Sequence, residues 1–453
     1  MIVLGINAAY HESAACVVRD GRLIAAVEEE RFSRVKHGKE SRVDNADELP
    51  EAAIAWCLAA ARTSWAEVDH IAWSFDPDER LRRNVGLPDT SAMRTGDWGT
   101  EAGEQAFWAA NQRARDKLLA RAPHAQFHFV PHHLSHAASA FLVSPYEEAA
   151  VIAVDGIAEF ASTWLGYGRG PDLVRLAEVD YPSSLGFLWE KFSEFLGFNR
   201  YSGPGKVMGY SATTDPIGAE VDYLARMREV VHLTPLGFRL DNDVFRFRTD
   251  DFAGMERMFG PRRKRVVCRY EEASIGSALQ AMTEDVMVHL ANELHAAVTR
   301  ALGHPVDALC LAGGVALNCL ANSAILERTP FKRMYVQGRE RRRDVRGRGL
   351  PRLARRPGQP GARLRDAGRV HGPRVDGRRD RGAVEDPRRR VYAVGRHRAR
   401  DRPAHRRRRD RGAVRDPQSG PEGGGRARPD HAFQDIHQGW TTGVCAGQYQ
   451  SAE

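Results

Sequence analysis

The sequence lacks the features of membrane, secreted and zinc-ribbon proteins. Its apolar start, MIVLGI, has no basic flank and is far shorter than the roughly 20 residues of a membrane helix. Its six cysteines are scattered without CxxC spacing, so neither a zinc ribbon nor a disulfide framework is indicated. We therefore expect a cytoplasmic protein with no membrane partner.

Lysine is absent after residue 337, where the composition of the chain changes. Residues 338–453 contain 31 arginines and 14 acidic residues, a net charge of +17, whereas residues 1–337 carry −9. Aromatic residues are scarce in this tail, and Gly, Pro, Asp and Arg recur without a helical or strand period. The composition therefore predicts disorder, and it argues against a nucleic-acid-binding domain despite the many arginines.

A shift of reading frame offers another explanation of the tail. Back-translating 338–355 with free third bases and shifting by one base permits the string AANDAGTSVGAAYHVWH. This string has a DAGT turn and a small-residue helical segment, which an α/β domain would place after the strand predicted at 333–336. We favour a frameshift near codon 338 over a native arginine-rich arm.

Residues 1–337 show the alternation of apolar segments and turns that is typical of an α/β protein. The pattern predicts strands at 2–6, 14–18, 23–27, 127–130, 150–154 and 306–312, helices at 28–34, 50–62 and 316–327, and a second half over 173–337. Asp20-Gly21 is a hairpin signal, and Gly313-Gly314 follows a late strand. This is the layout of the two-lobed actin, sugar kinase and heat-shock ATPase type of nucleotide-binding fold. Taken alone, the double glycine is better explained as a tight strand-to-helix turn.

Three residues have the types and spacing of a metal site. His132 and His136 share one face of a predicted helix, and Asp155 directly follows the apolar run 150–154. A carboxylate at that position is costly unless it faces a ligand or an ion. HxxxH alone also fits a capped surface turn or a pair of packed core histidines. With the aspartate added, we predict a two-histidine, one-carboxylate metal centre.

Eight segments of residues 1–337 resemble the O-carbamoyltransferases of nodulation factors and antibiotics, the nodulation protein U family. The matching segments are GINAAYHESAA (5–15), EEERFSRVKH (28–37), HHLSHAASAF (132–141), VDG (154–156), SLG (184–186), EFLGF (194–198), GPGKVMG (203–209) and AGGVALN (312–318). Their order and spacing cover essentially all of 1–337, so the match is far more specific than any single motif.

The resemblance implies an enzyme that makes carbamoyl-adenylate from carbamoyl phosphate and ATP and then transfers the carbamoyl group to a hydroxyl of a small-molecule or sugar acceptor. The transfer step would belong to the amino-terminal domain, which corresponds to 1–337 here. The family's metal, usually iron, is held by the HxxxH histidines and two aspartates. His132, His136 and Asp155 match three of these ligands, and the set also suits zinc or manganese.

The sequence departs from the family pattern at the fourth ligand. The aspartate of the family's DAG motif should fall at position 342, which is Arg342, whereas the shifted frame restores an aspartate within this segment. The DAG at 366–368 comes too late and has no preceding strand. The family's activating domain has no recognisable counterpart in 338–453. We therefore expect 1–337 to be a transfer domain that is incomplete at its end.

Further residues are candidates for catalysis and binding. His11, in a turn between two strands, would orient the acceptor or act as general base, and Asp155 is the second catalytic candidate. Residues expected to bind substrate or adenylate are Lys36, Gly156, Lys206, Gly209, Gly313, Gly314 and Asn318. His11 equally fits a simple turn histidine, Lys36 fits a solvated helix-end charge, and Lys206 fits closure of its Gly-rich loop.

Two other functions remain open on the sequence. One is a truncated metal- or nucleotide-binding remnant whose arginine-rich arm binds nucleic acid or an acidic partner. The other is a metal-dependent hydrolase on the same fold. Carbamoyl transfer explains the family segments better, and nucleic acid is not the expected partner. The acceptor is not encoded in any motif, and a homodimer is one candidate assembly.

Overall fold

The computed structural model describes residues 1–10, 12–84, 98–200, 202–212, 221–266 and 270–336. These residues belong to one compact unit of the chain. His11, Arg342, the predicted domain boundary at 337 and the arginine-rich tail lie outside the described residues. The proposals made for them therefore stay predictions.

A mixed five-stranded sheet forms the first half of the described chain. Its strands are β1 (Ile2–Asn7), β2 (Ala14–Arg19), β3 (Arg22–Glu28), β4 (His70–Trp73) and β5 (Gln126–Phe129). They lie in the order β3-β2-β1-β4-β5. β2 is antiparallel to β1 and β3, whereas β1, β4 and β5 are parallel. The hairpin predicted at Asp20-Gly21 is confirmed, since it joins β2 to β3.

Helices and loops cover both faces of this sheet. The helices are α1 (Glu30–Ser33), α2 (Glu51–Ala60), α3 (Pro77–Asn84), α4 (Glu101–Leu119) and α5 (His132–Phe141). All six positions of β1 are buried, because Leu4 and Ile6 pack with α2 while Val3 packs with α5. The predicted helix 28–34 is shorter at its start than expected, since Glu28 ends β3.

The second half repeats the architecture of the first. Its strands are β6 (Glu148–Val154), β7 (Ala161–Arg169), β8 (Asp172–Asp180), β9 (Val231–Thr234), β10 (Gly237–Leu240), β11 (Ala308–Ala312) and β12 (Arg333–Val336). The larger sheet has the order β12-β11-β6-β7-β8, and β9 and β10 form a separate pair. Strand order and directions match those of the first sheet. This duplication confirms the predicted α/β, actin and sugar kinase type of layout.

Seven helices complete the second half of the described chain. They are α6 (Leu185–Phe195), α7 (Pro204–Ser211), α8 (Tyr223–Arg228), α9 (Asn242–Phe245), α10 (Ala253–Phe259), α11 (Tyr270–Leu302) and α12 (Cys319–Arg328). The 33-residue α11 packs its apolar side against an aromatic core that includes Phe192 and Phe259. No helix among the described residues has the length and apolar character needed to cross a membrane.

Two sequence-based boundaries are wrong. The second half begins with β6 at 148 rather than at 173, because β6 pairs with β7 and β11 and has no partner in the first sheet. The helix predicted at 316–327 begins at Cys319, because Gly314–Leu317 form a 3-10 turn. Asn318 caps α12 by accepting a hydrogen bond from the Ala321 N–H at 3.0 Å.

Candidate metal centre

Helix α5 holds the two predicted histidines between the two sheets. Its small residues Ala137 and Ala138 belong to a buried cluster that contains Val3 of the first sheet and Val151 of the second. The i, i+4 spacing brings the rings of His132 and His136 to 4.7 Å between centroids, and both side chains are buried. The helix is therefore a rigid support rather than the surface turn that HxxxH alone also allowed.

Asp155 meets both histidines, as the sequence predicts. It follows the last residue of β6, and its Oδ2 lies 3.4 Å from His132 Nε2 and 3.2 Å from His136 Nε2. The ligand atoms of the three side chains all lie within 4.8 Å of one another. Two ligands that each sit about 2.1 Å from one ion are roughly 3 to 3.5 Å apart. The two histidine-to-carboxylate distances match this separation.

The hydrogen bonding of His132 indicates what belongs between these donors. Its Nδ1 lies 3.1 Å from the Ser74 carbonyl oxygen, which only accepts, so Nδ1 carries a proton. In the neutral ring, the Nε2 lone pair then points at the Asp155 carboxylate. Two acceptors at this distance are held together by a shared cation, which is either a metal ion or the proton of an imidazolium. A buried histidine held by a carbonyl in this way is a common arrangement behind a metal ligand.

The charge of Asp155 is maintained by its surroundings. Burial alone would raise the pKa of its carboxyl, but hydrogen bonds and charge interactions with His132 and His136 outweigh burial and hold that pKa well below its usual range. The neighbouring His133 lies further round α5, and burial lowers the pKa of its imidazole to about 3. Asp155 is therefore an anion at neutral pH, while His133 is neutral.

Glu159 supports the centre and was not found by sequence reasoning. The backbone N–H groups of His132 and Asp76 each donate to its Oε1 at 2.9 Å, so it ties the start of α5 to the end of β4. Burial raises the pKa of this carboxyl. A lone glutamate in a turn has no pattern in the sequence that marks this role.

Glycines allow the turn after β11 to lie close to the end of β6 around Asp155. Gly313 has φ +87°, and a Cβ there would lie 2.2 Å from the Val154 carbonyl oxygen. A Cβ on Gly314 would lie 2.9 Å from Asp155 Oδ1, and the Gly314 N–H donates to that oxygen at 3.3 Å. Gly313-Gly314 is thus both the tight turn after β11 and a contact of the centre.

The candidate metal centre opens into a cavity of about 910 Å³. Four of the predicted binding residues line it, namely Lys36, Gly156, Gly314 and Asn318. Lys206 and Gly209 are exposed on α7, whose Pro204 and Met208 reach the cavity instead. The Asn318 amide exchanges two hydrogen bonds with Gln280, at 2.8 and 3.0 Å.

Charged and aromatic residues that were not predicted complete the wall. Arg80 donates to both oxygens of Glu104, at 2.6 and 2.7 Å, and to the Tyr10 hydroxyl at 2.8 Å. Glu12 and His37 form a second pair, with Oε1 and Nδ1 2.5 Å apart. Arg80 lies in the polar stretch PDERLRRN of α3, and no pattern in that stretch marks one arginine as buried.

Comparisons with known proteins point to one family. Residues 2–340 match a family model described as Carbamoyltransferase N-terminus. Uncharacterized protein sll1178 of Synechocystis sp. is 35% identical over 360 residues, which cover 74% of this chain and 54% of that protein. Nodulation protein NolNO of Sinorhizobium fredii is 30% identical over 342 residues, which cover 73% and 44%. The chain spans about half the length of these curated relatives.

Solved structures give weaker similarity. Component A of the Acidaminococcus fermentans (R)-2-hydroxyglutaryl-CoA dehydratase superimposes with a TM-score of 0.35 at 12% identity, over 74% of this chain and 92% of that chain. HypF of T. kodakarensis gives a TM-score of 0.33 at 14% identity, over 74% and 45%. The fold assignment accordingly depends on the strand order described above.

Proposed function

The chain belongs to the carbamoyltransferase N-terminus family, and from that premise we propose that it transfers a carbamoyl group from carbamoyl-adenylate to a hydroxyl of a small-molecule or sugar acceptor. Carbamoyl phosphate and ATP are the proposed sources of the donor. One observation carries the proposal, the convergence of His132, His136 and Asp155 beside Gly156 and Gly314 on a cavity wall.

The donor set fits a divalent metal, because two imidazole nitrogens and an anionic oxygen converge on one point. Iron is the first choice by family resemblance, and zinc or manganese suit the same ligands. When bound, such an ion would supply a Lewis acid that polarises the carbamoyl carbonyl or binds the phosphate. The Ser74 carbonyl keeps the proton of His132 on Nδ1, so that Nε2 stays available as a ligand.

Carbamoyl transfer also requires groups from the rest of the cavity wall. The acceptor oxygen forms a bond to the carbamoyl carbon, the bond from that carbon to the phosphate oxygen breaks, and AMP leaves. The hydroxyl proton must pass to a base. Among the described residues, His37 is a candidate for this base, because it is hydrogen-bonded to Glu12 at the cavity. His11 remains the candidate inferred from the sequence. Gly156 and Gly314 line the cavity beside Asp155 and are the proposed backbone contacts of the adenylate.

The decisive experiment supplies carbamoyl-adenylate to the purified full chain. Acceptor hydroxyls are offered as a panel of sugars, aminocyclitols, cephems and macrocycles, and carbamoylated products are measured by mass spectrometry. Asp155→Asn should lower metal content to near zero and product formation by at least about a hundredfold, since it removes a ligand charge while keeping the side-chain shape.

The matched control is Asp116→Asn, which changes an exposed aspartate on α4. We expect its metal content and its rate to equal those of the wild type. If no member of the panel gives acceptor-dependent product above spontaneous hydrolysis, while metal is bound, carbamoyl transfer is the wrong function. Ammonia release without any acceptor would instead support a metal-dependent hydrolase.

A further inference from the structure

A second arginine reaches the cavity without a partner for its charge. Arg248 lies between α9 and α10 and lines the same cavity as His132 and Asp155. Its Nη1 is buried without a hydrogen-bond partner, and no ion pair involves its guanidinium among the residues that the structure describes. The guanidinium carbon lies 4.4 Å from the centre of the Tyr181 ring, which orients the group by stacking.

The loop that carries Arg248 is held in place from several sides. Phe245 and Phe247 are buried and stack with centroids 5.6 Å apart. The ammonium of Lys191 donates to the carbonyls of Arg246 and Thr249, at 3.3 and 2.7 Å. Arg248 itself has φ +67°, a left-handed conformation that is unfavourable for arginine. Such strain persists where surrounding contacts impose it, and it is concentrated at functional sites.

Comparison with Arg80 shows that, among the described residues, no carboxylate is hydrogen-bonded to Arg248, although the charge of Glu104 attracts it. Arg80 occupies both oxygens of Glu104, and the Gly99 N–H donates to the same carboxylate at 2.8 Å. Glu104 thus has bonds to Arg80 and Gly99 but none to Arg248. The charges of Arg80 and Arg248 also oppose each other, and that interaction, after burial, lowers the pKa of Arg248. A buried cation without a partner is costly unless a ligand supplies the opposite charge.

We propose that Arg248 binds a phosphate group of the ligand and, in the proposed carbamoyl transfer, holds the 5′-phosphate of the donor nucleotide. This assignment rests on the proposed function for the identity of the nucleotide. The observations that carry it are the unpartnered Nη1, the stacking on Tyr181 and the anchored loop. A planar guanidinium presents two parallel N–H donors to phosphate oxygens, which suits this role better than an ammonium does.

The test measures binding to the purified full chain by titration calorimetry, with AMP, adenosine and inorganic phosphate as probes. Arg248→Gln should weaken AMP binding roughly tenfold to a hundredfold, the usual loss for hydrogen bonds to a charged group, and leave adenosine binding unchanged. Arg248→Lys should recover part of the affinity, because it restores the charge without the two-pronged geometry.

Arg246→Gln is the matched control. Arg246 lies two residues away in the same loop and also has a left-handed backbone. Its side chain forms an ion pair with the partly exposed Asp251 and is not among the residues that line the cavity. Its variant should bind AMP like the wild type. Without ligand, Arg248→Gln should melt at the same or a higher temperature than the wild type, because an unpartnered buried charge has been removed.

The outcomes separate this proposal from the proposed function. Equal AMP affinity of Arg248→Gln and the wild type would overturn the role of Arg248 and leave carbamoyl transfer untouched. A lower melting temperature of the ligand-free variant would indicate a structural role and also overturn it. Phosphate binding that depends on Arg248, with no preference for AMP, would support the anion site and contradict the nucleotide donor. Absence of binding by all three probes would overturn both.

Discussion

The two sheets share one topology, but the turns after β1 and β6 differ in what their polar side chains contact. β1 ends in Asn7, whose amide donates to the Glu12 carbonyl at 2.9 Å and accepts from the Ser74 hydroxyl at 2.8 Å. After β6, in the equivalent turn, Asp155 directs its oxygens to His132, His136 and the Gly314 N–H. The first turn satisfies its polar group internally, whereas the second leaves a carboxylate for a ligand. The two halves thus have similar turns at equivalent places, and only the turn after β6 carries a candidate metal ligand, Asp155.

The last strands of the two sheets extend this comparison. β5 leads through Pro131 into α5, which carries His132 and His136 to the centre. β12 has the equivalent place in the second sheet, beside β11. Val336, the last described residue, thus ends β12 at the place that β5 has in the first sheet. The shifted reading frame would place an aspartate a few residues after Val336 in the sequence, where the sequence as given has Arg342.

Among the tests of this comparison, the largest expected effect comes from restoring that reading frame. A chain in which the AANDAGT frame follows Gln337 should bind metal at least about tenfold more tightly, because a fourth ligand is added. Resequencing codons 330–350 establishes which frame the gene has, and competition with a chelator measures the affinity. If the DNA encodes Gly338 and Arg339 as given, and the shifted chain binds metal no more tightly, the frameshift hypothesis is wrong.

A smaller effect is expected at the turn of the first sheet. Asn7→Ala leaves the buried Glu12 carbonyl and Ser74 hydroxyl without their partner, which should lower the free energy of unfolding by about 2 to 4 kcal/mol. Urea titration measures this loss. Metal content should stay at the wild-type level, because His132 uses the Ser74 carbonyl rather than its hydroxyl. A loss of metal without a loss of stability would break the proposed contrast between the two turns.

The smallest expected effect concerns one buried lysine in each half. Lys39 donates to the carbonyls of Asn45 and Glu48, and Lys191 to those of Arg246 and Thr249. Burial lowers the pKa of each ammonium to about 8, from 10.5 in the unfolded chain. Between these two values the unfolded chain binds more protons than the folded one. Stability contributed by each lysine therefore rises as pH increases from 8 to 10.5.

Lys191→Met should remove about 1 to 2 kcal/mol of that rise in the free energy of unfolding. Urea titrations at pH 7.5, 9 and 10.5 give the slope for the variant and for the wild type. Lys332→Met, which changes an exposed lysine, is the control and should leave the slope unchanged. Parallel profiles of Lys191→Met and the wild type would contradict the lowered pKa.

Local patterns predicted much of the fold. The alternation of apolar and turn residues located β1, β2, β3 and β6 to within a residue or two, and Asp20-Gly21 marked the hairpin between β2 and β3. These elements depend on nearby residues, so the chain carries their signal directly. The start of the second half was misplaced, because whether β6 pairs with the first or the second sheet depends on strands far away in the chain.

The sequence by itself identified the three candidate ligand residues, since i, i+4 histidines on a helix and an aspartate at a strand end each have a local chemical signature. Only the tertiary structure decided that Glu159 anchors α5, that Arg80 is paired with Glu104, and that Arg248 lacks such a partner. Burial and pairing are properties of segments that meet across the fold. A charged residue in a polar stretch looks the same in the sequence whether it faces water or a closed cavity.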